Sequence, residues 1–104
     1  MRRGEVWWAN LTAPAGPRPV LLLSRDEAYS RRRSVTIAPI STRIRDIPVE
    51  VHLGPADGLS RPSVVNLDDI TTIYMSTLDR HVTSLSPEKM DDVNRAIRFA
   101  LDLD

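Results

Sequence analysis

The 104-residue chain contains no cysteine. This absence excludes disulfides, thiolate metal sites and cysteine nucleophiles, and it is typical of proteins in a reducing cytoplasm. No apolar run approaches the ~18 residues of a membrane span. The basic start of the chain, residues 1–5, is not followed by the apolar stretch of a signal peptide. We therefore expect a cytoplasmic protein with no membrane partner.

The chain also has few residues of the types that hold cofactors. His52 and His81 are its only histidines, and their spacing matches no metal-ligand pattern. It contains neither a glycine-rich phosphate loop nor the Gly-x-Ser-x-Gly turn of serine hydrolases. We expect no metal ion and no other cofactor.

Lysine is almost missing: Lys89 is the only lysine, and the other 13 of the 14 basic residues are arginines. The formal net charge is zero, yet residues 1–50 carry nine arginines against five acidic residues, and residues 51–104 carry five basic residues against nine acidic ones. The guanidinium group of arginine suits phosphate oxygens. The excess of arginine in the first half predicts an anionic partner, although a GC-rich genome would also favour arginine over lysine.

The length of the chain fits one domain, residues 1–104, and hydrophobic periodicity predicts that it is built mainly from β-strands. The C-terminal part differs, because Ser86, Pro87 and Glu88 form a helix start and apolar residues then recur at helical spacing. We expect the strands to curl into a small barrel or sandwich, with this amphipathic helix over an open side. The predicted strands cover residues 5–11, 20–23, 35–40, 49–53, 63–67, 70–74 and 81–85.

The sequence also predicts where individual residues lie within these strands. Pro39 predicts an edge position or a bulge near the end of the third strand. Glu50 and His52 alternate with apolar residues, which predicts a fourth strand with these two side chains on its polar face. Trp7 and Trp8 point to opposite faces of a regular strand, so that one packs in the core or an interface and the other is free to stack.

Arginine and hydroxyl side chains lie at two predicted strand ends. Arg18 is flanked by Pro17 and Pro19, whose rings restrict the backbone on either side. Ser41 and Thr42 follow the third strand. A fixed guanidinium and a hydroxyl could together hold a phosphodiester. The same residues also fit a surface charge and an ordinary turn, and composition alone does not separate the two interpretations.

With these residues the sequence resembles the MazF/PemK family of toxin endoribonucleases of type II toxin–antitoxin systems. The similarity covers nearly the whole chain, and the matching stretches occur in the same order and with suitable spacing. Each stretch alone is weak evidence, but their combination is specific for the family. The matching stretches are Arg3-Gly4-Glu5-Val6-Trp7, Arg18-Pro19-Val20-Leu21-Leu22-Leu23-Ser24, Ile37-Ala38-Pro39-Ile40-Ser41-Thr42-Arg43-Ile44, Pro48-Val49-Glu50-Val51, Gly58-Leu59, Ser63-Val64-Val65, Asp68 and Leu85-Ser86-Pro87-Glu88-Lys89-Met90.

The resemblance implies an SH3-like β-barrel of the CcdB/MazF type with a C-terminal helix, assembled as a homodimer. It implies ribosome-independent cleavage of single-stranded RNA, including mRNA, at a short preferred sequence. It also implies a cognate MazE-like antitoxin whose acidic tail lies over the RNA groove. Both partners would be polyanions, in agreement with the arginine excess of residues 1–50.

The resemblance also implies which residues act. In the family, an arginine at the start of the second strand and a hydroxyl after the third act at the scissile phosphate, and these fall on Arg18 and Ser41. Many relatives have threonine at the position of Ser41, so Thr42 is a second candidate. The implied reaction is attack of the ribose 2′-hydroxyl on the neighbouring phosphorus, giving 2′,3′-cyclic phosphate and 5′-hydroxyl ends. It needs no metal and spares DNA, because the nucleophile belongs to RNA.

The chain departs from the family in two places. Some relatives carry Arg-x-Asp in the fifth strand for proton transfer, whereas this chain has asparagine at residue 66 and keeps only Asp68, which is either a candidate base or an ordinary surface carboxylate. The loop of residues 12–17 is shorter than in relatives and contains no acidic residue. Other loops would then contact RNA, and Arg43 and Arg45 are candidate ligands of phosphates or bases.

Two other functions stay open from the sequence. CcdB toxins share the barrel but bind DNA gyrase through C-terminal residues without catalysis; this chain ends at residues 101–104 without their tryptophan. An inactive family member that only binds antitoxin would fit Asn66 and the short loop. The retained Arg18 and Ser41 favour the nuclease.

Overall fold

The computed structural model describes residues 1–104 and contains seven β-strands and two α-helices. The C-terminal helix and the order of the strands are as predicted, with boundaries shifted by at most three residues. Neither helix has the length and apolar character that crossing a bilayer requires. The elements are β1 (Glu5–Asn10), β2 (Pro17–Leu22), α1 (Ala28–Arg31), β3 (Ser34–Ser41), β4 (Glu50–Leu53), β5 (Ser63–Asn66), β6 (Thr71–Tyr74), β7 (Leu78–Ser84) and α2 (Pro87–Ala100), with short 3₁₀ turns at Pro55–Asp57 and Met75–Thr77.

All seven strands join one antiparallel sheet in the order β4-β5-β3-β2-β1-β7, and β6 pairs with β3 beside this path. Strand β3 is the centre of the sheet: Ser34–Ile37 pair with β6, and Ile40 and Ser41 pair with β5. The two end strands, β4 and β7, share no ladder. The mainly β fold with a C-terminal helix is therefore as expected, but the sheet does not close into a complete barrel.

One contact joins the two open sides of the sheet. The Thr83 hydroxyl in β7 donates a hydrogen bond of 3.0 Å to the backbone oxygen of Asp57, in the turn between β4 and β5. The next residue, Gly58, has a φ of +95°, and a Cβ atom at this position would lie 2.3 Å from Thr83 Oγ1. Glycine is thus required here both by the backbone conformation and by the close approach of β7.

Strand β2 shows how the core is divided. Leu21 belongs to the larger of two apolar clusters, whereas Val20 and Leu22 belong to the smaller one, and all three side chains are fully buried. This confirms the prediction of a strand that is buried on both faces. Helix α2 covers the larger cluster with Val93 and Ala96, as the amphipathic pattern predicts.

Helix α2 begins as the sequence predicts. The Ser86 hydroxyl oxygen accepts a hydrogen bond of 3.1 Å from the backbone N–H of Lys89, and Pro87 is the first helical residue. The Lys89 ammonium group donates to the backbone oxygen of His52 at 2.9 Å, which ties the helix to β4.

Of the two positions expected for Pro39, an edge or a bulge, the edge is wrong, because β3 is the central strand and Pro39 pairs with Val20 of β2. The structure nevertheless suits proline at this point. Pro39 lies between the segment of β3 that pairs with β6 and the segment that pairs with β5, so it belongs to neither of these two ladders. A residue that cannot donate a backbone hydrogen bond is tolerated where pairing is interrupted.

The two tryptophans face opposite sides of β1, as predicted. Trp7 packs against the smaller apolar cluster and stacks on His81, with ring centroids 5.6 Å apart. Trp8 belongs to neither cluster, and the Arg80 guanidinium lies 5.1 Å from its ring centroid. Trp7 is therefore the packing residue of the pair, and Trp8 offers its ring to the surface.

Candidate functional site

A polar cavity of about 260 Å³ lies where the beginning of β2, the end of β3 and the end of β5 meet. Only one of its nine lining side chains, Val64, is hydrophobic. Such a lining suits a charged or strongly polar ligand more than an apolar one. The lining residues are Arg18, Pro39, Ser41, Arg43, Arg45, Glu50, Val64, Asn66 and Asp69.

Strand pairing brings Arg18 and Ser41 together. Val20 of β2 pairs with Pro39 of β3 in an antiparallel ladder. Continuing this register by two residues places Arg18 opposite Ser41, and residues two apart on a strand share a face. Both side chains line the cavity accordingly. The two residues that sequence reasoning places at the scissile phosphate thus lie in one cavity, although 22 positions separate them in the chain.

The guanidinium of Arg18 is held by the short loop before β2. Its Nε and Nη2 atoms donate to the backbone oxygen of Ala15, at 3.0 and 2.5 Å. A guanidinium has five N–H groups, so the remaining ones are free for a ligand. The loop of residues 12–17 therefore has a structural role in this chain: it fixes the direction of the guanidinium without an acidic residue.

The hydroxyl of Ser41 is set up as a donor. Its oxygen accepts a hydrogen bond of 3.0 Å from the backbone N–H of Arg43. The hydroxyl hydrogen has no acceptor within the protein and can therefore donate to an oxygen of a bound group.

The structure separates the two candidate hydroxyls. Thr42 does not line the cavity of Arg18; it lines a neighbouring cavity of about 350 Å³ together with Trp8 and Arg61. Ser41 lines both cavities. Of the two hydroxyls, only Ser41 shares a cavity with Arg18.

Arg43 and Arg45 also line the cavity, on the segment between β3 and β4. This segment is anchored by Glu50, whose Oε1 atom accepts hydrogen bonds of 2.9 Å from the backbone N–H groups of Arg45 and Asp46. Sequence periodicity predicts a solvent-exposed Glu50, and this is wrong: the residue is 8 % exposed. The two backbone donors compensate for the burial of Oε1, whereas Oε2 is buried without a partner. His52, its neighbour on the same strand, is exposed as predicted.

The end of β5 contributes two polar residues that sequence reasoning does not assign to the site, Asn66 and Asp69. Asn66 pairs with Glu50 across β4 and β5 and is 9 % exposed. Asp68, the carboxylate that the family pattern proposes as a base, is exposed and does not line the cavity. Alternation along β5 is the sequence feature that could have identified Asn66, because residues two apart on a strand share a face and Val64 also lines the cavity.

The charges of the cavity favour a polyanion. Three arginines and two acidic residues line it, and one of the acidic side chains, Glu50, already accepts two backbone hydrogen bonds. No group of three histidine, aspartate or glutamate side chains converges anywhere in the chain. Guanidinium groups beside a free hydroxyl are the donors that bind phosphate oxygens, so the arrangement can hold a phosphodiester and stabilise negative charge on it.

Comparisons with known proteins give a consistent result. A sequence profile described as "PemK-like, MazF-like toxin of type II toxin-antitoxin system" matches residues 2–101. The probable endoribonuclease MazF5 of Mycobacterium tuberculosis (strain ATCC 25618 / H37Rv) is 40 % identical over 101 residues, which cover 96 % of this chain and 92 % of that protein. Endoribonuclease MazF3 of the same strain is 38 % identical over 87 residues, which cover 84 % of each chain.

Two solved structures have the same fold as this chain. The Mycobacterium tuberculosis toxin MazF-mt6 superposes with a TM-score of 0.89 and 35 % identity, over 96 % of this chain and 98 % of that one. An endoribonuclease from a Mycobacterial species, solved in complex with its cognate antitoxin, superposes with a TM-score of 0.89 and 30 % identity, over 100 % of this chain and 97 % of that one.

Proposed function

The chain belongs to the family of PemK-like, MazF-like toxins of type II toxin–antitoxin systems, and on this premise we propose that it cleaves RNA in the cavity of Arg18 and Ser41. It is an endoribonuclease toxin, like the relatives to which it is similar. It acts on single-stranded RNA, including mRNA, in the cytoplasm.

The observation that carries this assignment is the set of donors that the cavity leaves free. Arg18 and Ser41 come from different strands, and each is fixed by a hydrogen bond with the backbone of a loop. Both keep N–H or O–H groups that have no acceptor in the protein. Donors that are held in place before the substrate arrives need little reorganisation during the reaction, which is why they stabilise a transition state effectively.

In the reaction, the 2′-hydroxyl of a ribose attacks the adjacent phosphorus and displaces the 5′-oxygen of the next nucleotide. Negative charge grows on the non-bridging phosphate oxygens as the pentavalent state forms. Arg18 binds these oxygens through its free N–H groups, and the Ser41 hydroxyl donates to a further oxygen. Removal of one such donor typically costs ~3–4 kcal/mol in the barrier. Arg43 and Arg45, at the rim of the same cavity, bind neighbouring phosphates.

The partners follow from the same premise. The protein forms a homodimer and is neutralised by a cognate MazE-like antitoxin, as the related Mycobacterial endoribonuclease is found in complex with its own. An acidic antitoxin segment and RNA would compete for one surface, because the three arginines of the cavity attract both polyanions.

End-mapping of RNA fragments tests this function. Purified protein is incubated in EDTA with several long, unrelated transcripts, and the fragment ends are identified chemically. We expect cuts at a short recurring sequence, with 2′,3′-cyclic phosphate and 5′-hydroxyl ends. A transcript with a 2′-O-methyl group at the cleaved nucleotide is the control and stays intact, because its nucleophile is blocked. Intact unmodified transcripts, or fragments with 5′-phosphate ends, would contradict the proposal.

A further inference from the structure

A proton acceptor for the 2′-hydroxyl can be identified among the carboxylates near the cavity. Arg18 is unsuited to this task, because efficient general bases titrate near the working pH and a guanidinium does not. Neither histidine lines the cavity. The three carboxylates to compare are those of Glu50, Asp68 and Asp69.

Glu50 and Asp68 do not meet the geometric requirement. The Oε1 atom of Glu50 accepts two backbone hydrogen bonds, and its Oε2 atom is shielded from solvent without a partner, so a substrate cannot reach it. Asp68 is exposed but lies outside the lining of the cavity. Asp69 is the carboxylate that is both in the cavity and open to solvent.

The carboxylate of Asp69 is also held in position. The buried Asn66 accepts a hydrogen bond of 2.9 Å from the Asp68 backbone N–H through Oδ1, which fixes the orientation of its amide. Its Nδ2 atom therefore points to Asp69 Oδ2, at 3.1 Å. The second oxygen of Asp69, Oδ1, makes no hydrogen bond within the chain. One carboxylate oxygen is thus used for orientation, and the other is available to a ligand.

We propose that Asp69 is the general base of the reaction and that Asn66 is its positioning residue. The inference rests on the proposed function and adds a role for a carboxylate one residue beyond the position that the family pattern indicates. Asn66, the residue that replaces the arginine of that pattern, thereby has a defined purpose in this chain.

The step balances without a metal or a redox partner. The 2′-O–H bond breaks, its proton moves to Asp69 Oδ1, and its electron pair forms the new bond between the 2′-oxygen and phosphorus. The bond between phosphorus and the 5′-oxygen breaks, and the departing oxygen takes a proton from water. Asp69 then returns its proton to solvent, so that the enzyme ends in its starting state.

The charged groups that share the cavity with Asp69 are Arg18, Arg43, Arg45 and Glu50. When RNA occupies the cavity, its phosphate adds negative charge. As the general base, Asp69 must be in its carboxylate form to take the proton of the 2′-hydroxyl.

The test compares Asp69→Asn with Asp91→Asn, a matched control on the exposed surface of α2 whose side chain makes no hydrogen bond or ion pair. Asparagine at residue 69 keeps an oxygen to accept from Asn66 but cannot take a proton. Single-turnover cleavage with saturating protein should fall by about 10²–10⁴-fold in Asp69→Asn, the usual contribution of a general base. RNA affinity should stay within about threefold of the wild type, so that the loss lies in the chemical step and not in binding.

The outcomes separate this inference from the proposed function. Wild-type activity together with full activity of Asp69→Asn overturns the assignment of the base and leaves the nuclease intact. Loss of activity in Asp68→Asn but not in Asp69→Asn moves the base to Asp68 and also overturns it. A wild-type protein that cleaves no RNA overturns both. A circular dichroism melt of each variant confirms folding, which the exposure of residue 69 leads us to expect.

Discussion

At the scale of single residues, the site is defined by which polar atoms are already occupied within the chain. Arg18 and Ser41 each make hydrogen bonds with loop backbone and keep free donors. Asn66 uses one end of its amide for orientation and the other for Asp69. Glu50 accepts two backbone hydrogen bonds through Oε1, and its Oε2 atom is buried without a partner. The donors and acceptors that remain free converge on one cavity, and they match the needs of a phosphodiester and its 2′-hydroxyl.

Substitutions of Glu50 test how the segment between β3 and β4, which carries Arg43 and Arg45, is held in position. Glu50→Ala removes the acceptor for two backbone N–H groups, and we expect the free energy of unfolding to fall by about 1–3 kcal/mol. Glu50→Gln keeps a carbonyl oxygen for both donors and removes a buried charge, so it should cost less than half as much. Urea unfolding of both variants measures this difference. Equal losses in the two variants would mean that the charge, rather than the backbone contacts, is what matters.

The resemblance to the family selects Arg18 and Ser41 as candidate site residues, because its motifs are local stretches just before or after a strand, and the structure brings both side chains into one cavity. Sequence reasoning does not identify Asn66, Asp69 or the buried state of Glu50. Glu50 and Asn66 are partners across β4 and β5, and the pairing of these strands is not visible in either segment alone. Alternation places Glu50 on a polar face, but that face is covered by the preceding loop, which uses the carboxylate as its own acceptor.

At the scale of elements, the predictions that hold are those with local causes. The start of α2 is predicted because Ser86 and Pro87 act within one turn. The buried character of β2 is predicted because an uninterrupted apolar run reports burial on both faces. The edge position that the sequence allows for Pro39 is wrong, because an interruption of pairing in the middle of a sheet depends on where β5 and β6 begin and end.

Substitution of glycine by alanine tests the contact between the turn before β5 and strand β7. Gly58 and Gly16 both have positive φ, but a Cβ at residue 58 would meet Thr83, whereas one at residue 16 would meet nothing within 4 Å. Gly16→Ala should therefore cost only the conformational strain, about 1–2 kcal/mol. Gly58→Ala should cost a further ~1–3 kcal/mol for the overlap with Thr83. Thermal and urea unfolding measure both, and equal costs would show that Thr83 moves aside freely.

At the scale of the whole molecule, the uneven charge along the chain predicts that the partner is negatively charged, but it does not predict where on the protein the partner binds. Three of the nine arginines of residues 1–50 line the cavity, namely Arg18, Arg43 and Arg45. They come together because β2 and the segment after β3 meet at one end of the sheet. A charge count cannot show this, since it contains no information on which strand ends are neighbours.

The central claim is that RNA is cleaved at the guanidinium of Arg18, and a matched pair of arginine variants tests it most directly. Arg18→Ala is compared with Arg98→Ala, which removes an exposed guanidinium on α2 that makes no ion pair. The measurement is the single-turnover rate of cleavage of one defined RNA, in EDTA, at protein concentrations that saturate binding. We expect the rate to fall by about 10²–10³-fold or more in Arg18→Ala and to stay within about twofold of the wild type in Arg98→Ala. A folded Arg18→Ala protein that cleaves at the wild-type rate would contradict the assignment of the active site.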